Sequence, residues 1–187
     1  TIMETRIESG EITNGEGSST SVQLTIIPES QLGELNTMFR LEPARSNSIF
    51  GWVHGGGRAQ PVTLGDGGII VAQSAAQSLG VQAGDEVDLR GEGTQPHRVK
   101  VAAVTRSLIG AEAFISEDLY HRLFPASPVG EAASEQPAIT WNAVYAKLKG
   151  GSDEQIKYVD QLEDDAIVLS AASTAYQAEH FKFNLMG

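Results

Sequence analysis

The sequence contains no cysteine among its 187 residues. Disulfides, thiolate metal sites and catalysis by a cysteine nucleophile are therefore excluded by composition. The longest apolar runs, such as residues 68–72, are far shorter than the roughly 20 residues that a membrane-spanning helix needs, so no span is predicted. The chain opens without Met and without a basic start followed by an apolar stretch. We therefore expect a piece of a longer protein, with a processed mature protein as the alternative.

Basic residues are also scarce. The 13 Lys and Arg stand against 24 Asp and Glu, which gives a net charge of −11. A chain of this charge is repelled by phosphate backbones and anionic lipid, so nucleic acid is not expected as a partner. Hydrophobic residues make up 41% of the sequence, enough to build the core of one domain or of two small lobes.

Complete catalytic and metal-binding motifs are missing. The fragment at residues 54–57 matches the oxyanion-hole motif of lipases, but no G-x-S-x-G nucleophile elbow follows it. Neither the dinucleotide-binding nor the P-loop glycine pattern occurs. The histidines lack the spacing of metal ligands. We therefore predict no catalytic, cofactor-binding or metal-binding residues; the four histidines are His54, His97, His121 and His180.

A glycine-rich loop at residues 50–57 is the one predicted contact site. Trp52 lies among glycines there, between Phe50 and His54. An indole on a flexible backbone is typical of a recognition anchor, because loops carry function and tryptophan contributes strongly to interfaces. The sequence therefore predicts a mobile contact loop with these three residues, and packing of Trp52 beneath the loop is the alternative.

Hydrophobic periodicity predicts strands and helices along most of the chain. Residues 1–20 indicate an edge strand or a loose arm, and residues 126–137 a mobile connection. No internal repeat of 20 to 50 residues is predicted. The other predicted strands are 22–27, 61–64, 69–71, 86–90, 98–104, 113–115, 142–148, 166–169 and 176–187, and the predicted helices are 73–79, 152–163, one after Ser30 and one after Ser116.

Four helix ends carry capping signals. Gly80 follows the helix 73–79 where a positive φ is needed, with Val81 beyond it to close the hydrophobic contact. Ser30 and Ser116 are predicted N-caps. Ser152 is predicted to form a capping box with Gln155.

Residues 68–91 read GIIVAQSAAQSLGVQAGDEVDLRG, and residues 98–120 read RVKVAAVTRSLIGAEAFISEDLY. This order of strand, small helix ending in L-G-V, G-D turn, V-x-V strand and F-I-S strand resembles the extracytoplasmic core domain of FtsX/MacB-like ABC-transporter permeases. The segment 22–29, VQLTIIPE, resembles the strand that precedes this core. The resemblance covers roughly residues 20–170.

The resemblance implies an α+β fold with two lobes. Residues 1–49 and 136–187 would form a porter-like β-α-β lobe, and residues 50–135 a smaller inserted α/β lobe. It also implies a non-catalytic, cofactor-free domain outside the cell membrane, anchored by transmembrane helices of the same permease. ATP would be hydrolysed by a separate cytoplasmic subunit, and the domain would handle a substrate or activate a partner protein.

Two alternatives stay open. The segment L-G-V-x-x-G-D-E-V at residues 79–87, followed by a V-x-V strand, also resembles double-psi barrels that bind cofactors such as molybdopterin. The predicted β-α-β unit around residues 152–163 favours the permease. A free secreted ligand-binding module is the other alternative.

Overall fold

The computed structural model describes residues 2–43, 64, 67–106, 110–125, 139–147 and 151–163. The chain forms two units, Ile2–Ala146 and residue 1 together with 147–187. The strands of the first unit are β1 (Ile2–Thr13), β2 (Ser19–Ile27), β3 (Leu41–Pro43), β4 (Gly68–Ala72), β5 (Glu86–Gly91), β6 (His97–Thr105), β7 (Glu112–Ser116) and β8 (Ala143–Ala146). Its helices are a 3-10 helix (Glu29–Glu34), α1 (Leu35–Met38), α2 (Gln73–Leu79) and α3 (Glu117–Leu123).

Six of the strands close into a mixed β-barrel. Their order is β1-β2-β7-β4-β6-β5, and β5 pairs with β1 to complete the ring. The pairs β2–β7 and β4–β6 are parallel, and the other four pairs are antiparallel. Two further strands attach outside the ring, β3 to β6 and β8 to β1.

Two hydrophobic clusters lie on opposite faces of the barrel wall. Ile26 belongs to the first cluster and Ile27 to the second, and Ala113 and Phe114 divide in the same way. Because successive strand residues point to opposite faces, one cluster fills the barrel and the other lies outside it. The inner cluster also takes in residues of α2 and α3, and the outer cluster is covered by the 3-10 helix, α1 and β3.

The barrel consists of two similar halves. In each half an antiparallel hairpin, β1–β2 or β5–β6, precedes a five-residue strand that runs directly into a seven-residue helix. Exchanging the halves preserves every pairing within the ring, since β2–β7 corresponds to β6–β4. The similarity is one of structure and not of sequence. The two strand–helix segments, GIIVAQSAAQSL and EAFISEDLYHRL, share a length and a largely buried strand but few letters.

The predicted helix signals after α2 and before α3 are confirmed. Gly80 has φ of 65° after α2, and the amide of Val81 bonds to the carbonyl of Ala76 at 2.9 Å. The hydroxyl of Ser116 accepts the amide of Leu119 at 3.2 Å, which is the predicted N-cap of α3.

Two local predictions require correction. Ser30 is not an N-cap, because the 3-10 helix begins at Glu29 after Pro28. The predicted capping box of Ser152 with Gln155 stays a prediction, because the side chain of Ser152 lies outside the described part of the chain. The helix α4 of the second unit spans Ser152–Glu163, and the carboxylate of Glu154 accepts the Gly151 amide at 3.3 Å.

The second correction concerns the start of the chain, predicted as an edge strand or a loose arm. Residues 2–13 do form a strand, but β1 is not an edge strand, since its 12 residues pair with β2, β5 and β8. Its central position makes it the strand on which the barrel closes.

The predicted α+β class is confirmed: the described residues form a six-stranded mixed barrel with two attached strands, four α-helices and one 3-10 helix. The two-lobed arrangement is not shown. Barrel strands come from both sides of the predicted boundary at residue 50, because β1 and β2 pair with strands of the segment 50–135. The porter-like and inserted lobes therefore stay a prediction.

Candidate functional site

The predicted contact residues Phe50, Trp52 and His54 lie outside the described part of the chain. The strands predicted at 61–64, 166–169 and 176–187 also fall wholly or largely there. The contact loop therefore stays a prediction, and the candidate site below is built from residues that the sequence did not single out.

An open cleft of about 560 Å³ lies on the barrel where β1 and β5 part. The ladder between β1 and β5 covers residues 10–13 of β1 and ends at the pair Gly10 and Gly91. The ladder between β1 and β8 covers residues 2–5 of β1. The gap between these two ladders leaves room for side chains of α3. The cleft is lined by Arg6, Ile7, Glu8, Ser9, Gly91, Glu92, Thr94, Tyr120 and Phe124.

Glu8 organises the polar side of this cleft. One of its oxygens accepts Arg6 Nε at 2.6 Å, and the other accepts the Tyr120 hydroxyl at 2.7 Å. The same guanidinium donates from Nη1 to the carbonyl of Thr140 at 3.4 Å. Both carboxylate oxygens of Glu8 are thus engaged, and the network fixes Tyr120 at the mouth of the cleft.

Aromatic rings form the other side. Tyr120 and Phe124 have ring centroids 5.3 Å apart, and His97 meets Phe124 edge-on at 5.4 Å. An aromatic wall beside hydrogen-bonding groups is typical of a contact surface for a small molecule or a side chain. No single sequence motif predicts this cleft, because its lining comes from three segments that only the barrel brings together.

A second set of hydrogen-bonded side chains lies beside the outer cluster. The hydroxyl of Tyr145 donates to Glu112 Oε1 at 3.2 Å and lies 3.5 Å from the hydroxyl of the buried Thr25. Burial raises the pKa of Glu112, and the hydrogen bond from Tyr145 opposes that shift. This group joins β8 to the barrel strands β2 and β7.

The described ranges show no grouping of three or more His, Cys, Asp or Glu side chains that could hold a metal ion. Within the same ranges, no helix has the length and apolar character to cross a bilayer.

The fold is similar to extracytoplasmic domains of ABC-type permeases. The extracellular domain of the ABC-type transporter YknZ from Gram-positive bacteria aligns with a TM-score of 0.43 and 16% identity, over 67% of this chain and 59% of that one. The periplasmic region of MacB from Actinobacillus actinomycetemcomitans aligns with a TM-score of 0.41 and 12% identity, over 87% and 65%. A domain from Porphyromonas gingivalis assigned as a permease protein aligns with a TM-score of 0.43 and 12% identity, over 86% and 62%.

This chain thus spans 59% to 65% of the length of those three domains. No protein-family model and no curated protein matches the sequence.

We expect two of the four tyrosines to keep their protons to unusually high pH. Burial, followed by the Glu8 hydrogen bond, raises the pKa of Tyr120 to about 12, and burial followed by the charge of Glu112 raises the pKa of Tyr145 to about 12. Since both values exceed the ordinary 10.0, the stability that these groups contribute is lost as the pH rises from 10 to 12. An absorbance titration at the tyrosinate band measures the two late steps.

Tyr120→Phe and Tyr145→Phe should each remove one of the two late steps and so reduce the late absorbance change, with the other step retained. A late change of undiminished amplitude in either variant would contradict the assignment of that tyrosine.

Proposed function

We propose that this chain is a non-catalytic extracytoplasmic domain of an ABC-transporter permease, which couples motion of membrane helices to substrate handling or to activation of a partner protein. The observation that carries the proposal is the FtsX/MacB-like pattern over residues 68–120. The order of elements supports it, since this segment forms β4, α2 ending at Gly80, the Gly84–Asp85 turn, β5, β6, β7 and α3 in the sequence that the pattern predicts.

Gly84 and Asp85, the G-D step of the pattern, form a hydrogen-bonded turn in this chain. The Gly84 amide donates to Val101 O at 2.7 Å, and the Val101 amide donates to Asp85 O at 2.8 Å. The carboxylate of Asp85 accepts the Gln82 amide at 2.9 Å. Gly84 has φ of 105°, a conformation that favours glycine, so the turn both reverses the chain and joins it to β6.

The first unit also suits a domain held by anchored segments. Ile2 and Ala146, its outermost residues, are direct partners in the β1–β8 ladder. The chain therefore enters and leaves this unit at adjacent positions. A unit held in this way can move as one body when the segments that carry it move.

Location outside the membrane can be tested in the full-length protein, because this part of the chain contributes no native cysteine. We expect Ser18→Cys, in the exposed hairpin turn, to react with a membrane-impermeant maleimide in intact cells, with the protein in the membrane fraction. The matched control is Leu89→Cys, whose side chain is buried in the barrel and should react only after denaturation. Labelling of Ser18→Cys only in lysed cells would overturn the proposal, and recovery in the medium would indicate the secreted module.

A ligand- or cofactor-binding barrel is the second candidate. It is favoured by one observation, the closed six-stranded ring built from two similar halves, which agrees with the resemblance of residues 79–87 to double-psi barrels. The cleft beside Tyr120 would be its binding site. Native mass spectrometry and an absorption spectrum of the purified chain separate the two: a stoichiometric pterin, flavin or other bound mass would favour this candidate over the permease.

A further inference from the structure

The first four residues of β1 and the whole of β8 form a two-stranded ribbon, Ile2–Thr5 paired with Ala143–Ala146. The ladder between β1 and β2 begins only at Arg6, so within the described residues the ribbon shares no ladder with the barrel strands beyond β1 itself. Two strands alone are marginally stable in water. The ribbon must therefore be held by contacts of its inner face.

That inner face lies on the outer hydrophobic cluster. Met3 and Tyr145 are direct partners in the ladder, and Met3 is fully buried. The ring of Tyr145 meets Phe39 at 5.6 Å and Phe114 at 6.1 Å between centroids, both nearly edge-on. On the opposite face, Ile2 and Val144 are 69% and 61% exposed, so one face alone holds the ribbon down.

Polar contacts also anchor the ribbon at its barrel end. The side-chain amide of Asn142 substitutes for a strand: its Oδ1 accepts the Ile7 amide at 2.7 Å, and its Nδ2 donates to the Ile7 carbonyl at 3.1 Å. The Asn142 amide also donates to Thr5 O at 3.0 Å. At the other anchor, the Tyr145 hydroxyl bonds to Glu112.

We propose that this ribbon is a flap that opens and closes on the intact barrel. The side chain of Tyr145 anchors it in the closed position. The chain passes directly from Ala146 into the second unit. Tension along that connection therefore acts on a four-residue ladder before it reaches the closed ring, whose strands are paired on both edges. The existence of the flap is independent of the proposed permease; only its role in coupling rests on that proposal.

Hydrogen exchange on the 187-residue chain tests the flap. We expect the amides of residues 3–5 and 143–146 to exchange at least tenfold faster than those of β4 and β6. Tyr145→Ala should speed exchange in the ribbon by a further tenfold or more and leave β4 and β6 unchanged. The matched control is Tyr158→Ala on α4, where the ring is 47% exposed and exchange in the ribbon should not change.

A disulfide lock supplies the converse test. Glu4 and Val144 are opposite each other with both side chains exposed. Thr5 and Ile7 direct their backbone groups towards Asn142, so Glu4 belongs to a non-hydrogen-bonded pair, where the Cα atoms lie about 4.5 Å apart, within disulfide reach. Oxidised Glu4→Cys/Val144→Cys should slow exchange in the ribbon to the rate of β6, and reductant should restore it.

Two results would overturn the flap: ribbon exchange as slow as the barrel in the unmodified chain, or barrel exchange that rises together with ribbon exchange in Tyr145→Ala. In the full-length protein, the oxidised lock should reduce transport or partner activation at least tenfold, reversibly. Full activity of the locked protein would contradict the coupling role and leave the proposal of the flap itself standing. Labelling of Ser18→Cys only in lysed cells would contradict the permease proposal and would not affect the flap.

Discussion

Phe114→Ala is expected to lower the free energy of unfolding by about 3–5 kcal/mol, the cost of removing a fully buried aromatic ring. Phe114 lies at the centre of the outer cluster, 4.8 Å from Phe39 between ring centroids and close to Tyr145. Its strand, β7, is paired on both sides, by β2 and β4. The backbone therefore cannot collapse into the cavity, and the full cost of the void should be measured by urea denaturation.

The matched control is Phe39→Ala, which removes the same ring from the half-buried partner directly after α1. Because α1 is a four-residue helix on the surface of the barrel, it can move inward, and we expect about half the cost of the Phe114 substitution. Equal losses for the two substitutions would contradict the assignment of Phe114 as the centre of the outer cluster. A loss at Phe114 below about 1 kcal/mol would contradict it as well.

The segment from β4 to α3 could be predicted from the sequence because its signals are local. Gly80 ends α2, Asp85 closes a turn through its own carboxylate, and Ser116 caps α3, each within a few residues of its partner. Strand lengths in this region follow from the alternation of apolar residues, as in the burial of every second residue of β6.

Closure of the barrel could not be predicted, because it depends on partners far apart in the chain. In β1 the buried residues Met3, Thr5 and Ile12 are spaced irregularly, since different parts of the strand face the ribbon, the cleft and the barrel interior. Periodicity alone therefore indicated an edge strand or an arm. The polar Thr5 is fully buried on the inner face of the ribbon, which no local signal in the sequence indicates.

The candidate site could not be predicted for the same reason, because its residues are also far apart in the chain. Glu8 and Tyr120 are 112 positions apart, and neither belongs to a motif. Sequence analysis favoured Trp52 instead, because an aromatic residue among glycines is conspicuous locally. A contact site formed where the β1–β5 ladder ends has no local sequence pattern. It can be located only once the pairing of the barrel strands is known.

Gly68→Ala is expected to destabilise the chain by about 1–3 kcal/mol, although it adds one methyl group and lies outside the positive-φ region. A Cβ at residue 68 would lie 2.8 Å from the Cβ of Ala102, closer than real side chains approach. Gly68 is buried at the start of β4, in the parallel ladder with β6, just before a register shift between Ile69 and Ile70. The two strands cannot separate without breaking the ring, so the clash has to be relieved by strain.

A double-mutant cycle identifies the clashing atom. Ala102→Gly removes the opposing methyl group at a cost of about 0.5–1 kcal/mol of strand stability. Adding Gly68→Ala to this variant should then cost little, because the new Cβ fills the vacated space. Gly15→Ala, in an exposed turn with no atom within 4 Å of the added Cβ, is the control for the glycine effect alone and should be near neutral. Gly68→Ala could instead be as costly in the Ala102→Gly variant as in the unmodified chain. The close approach of β4 to β6 would then not cause the loss of stability. The register of that parallel pair, on which the closed ring depends, would be contradicted.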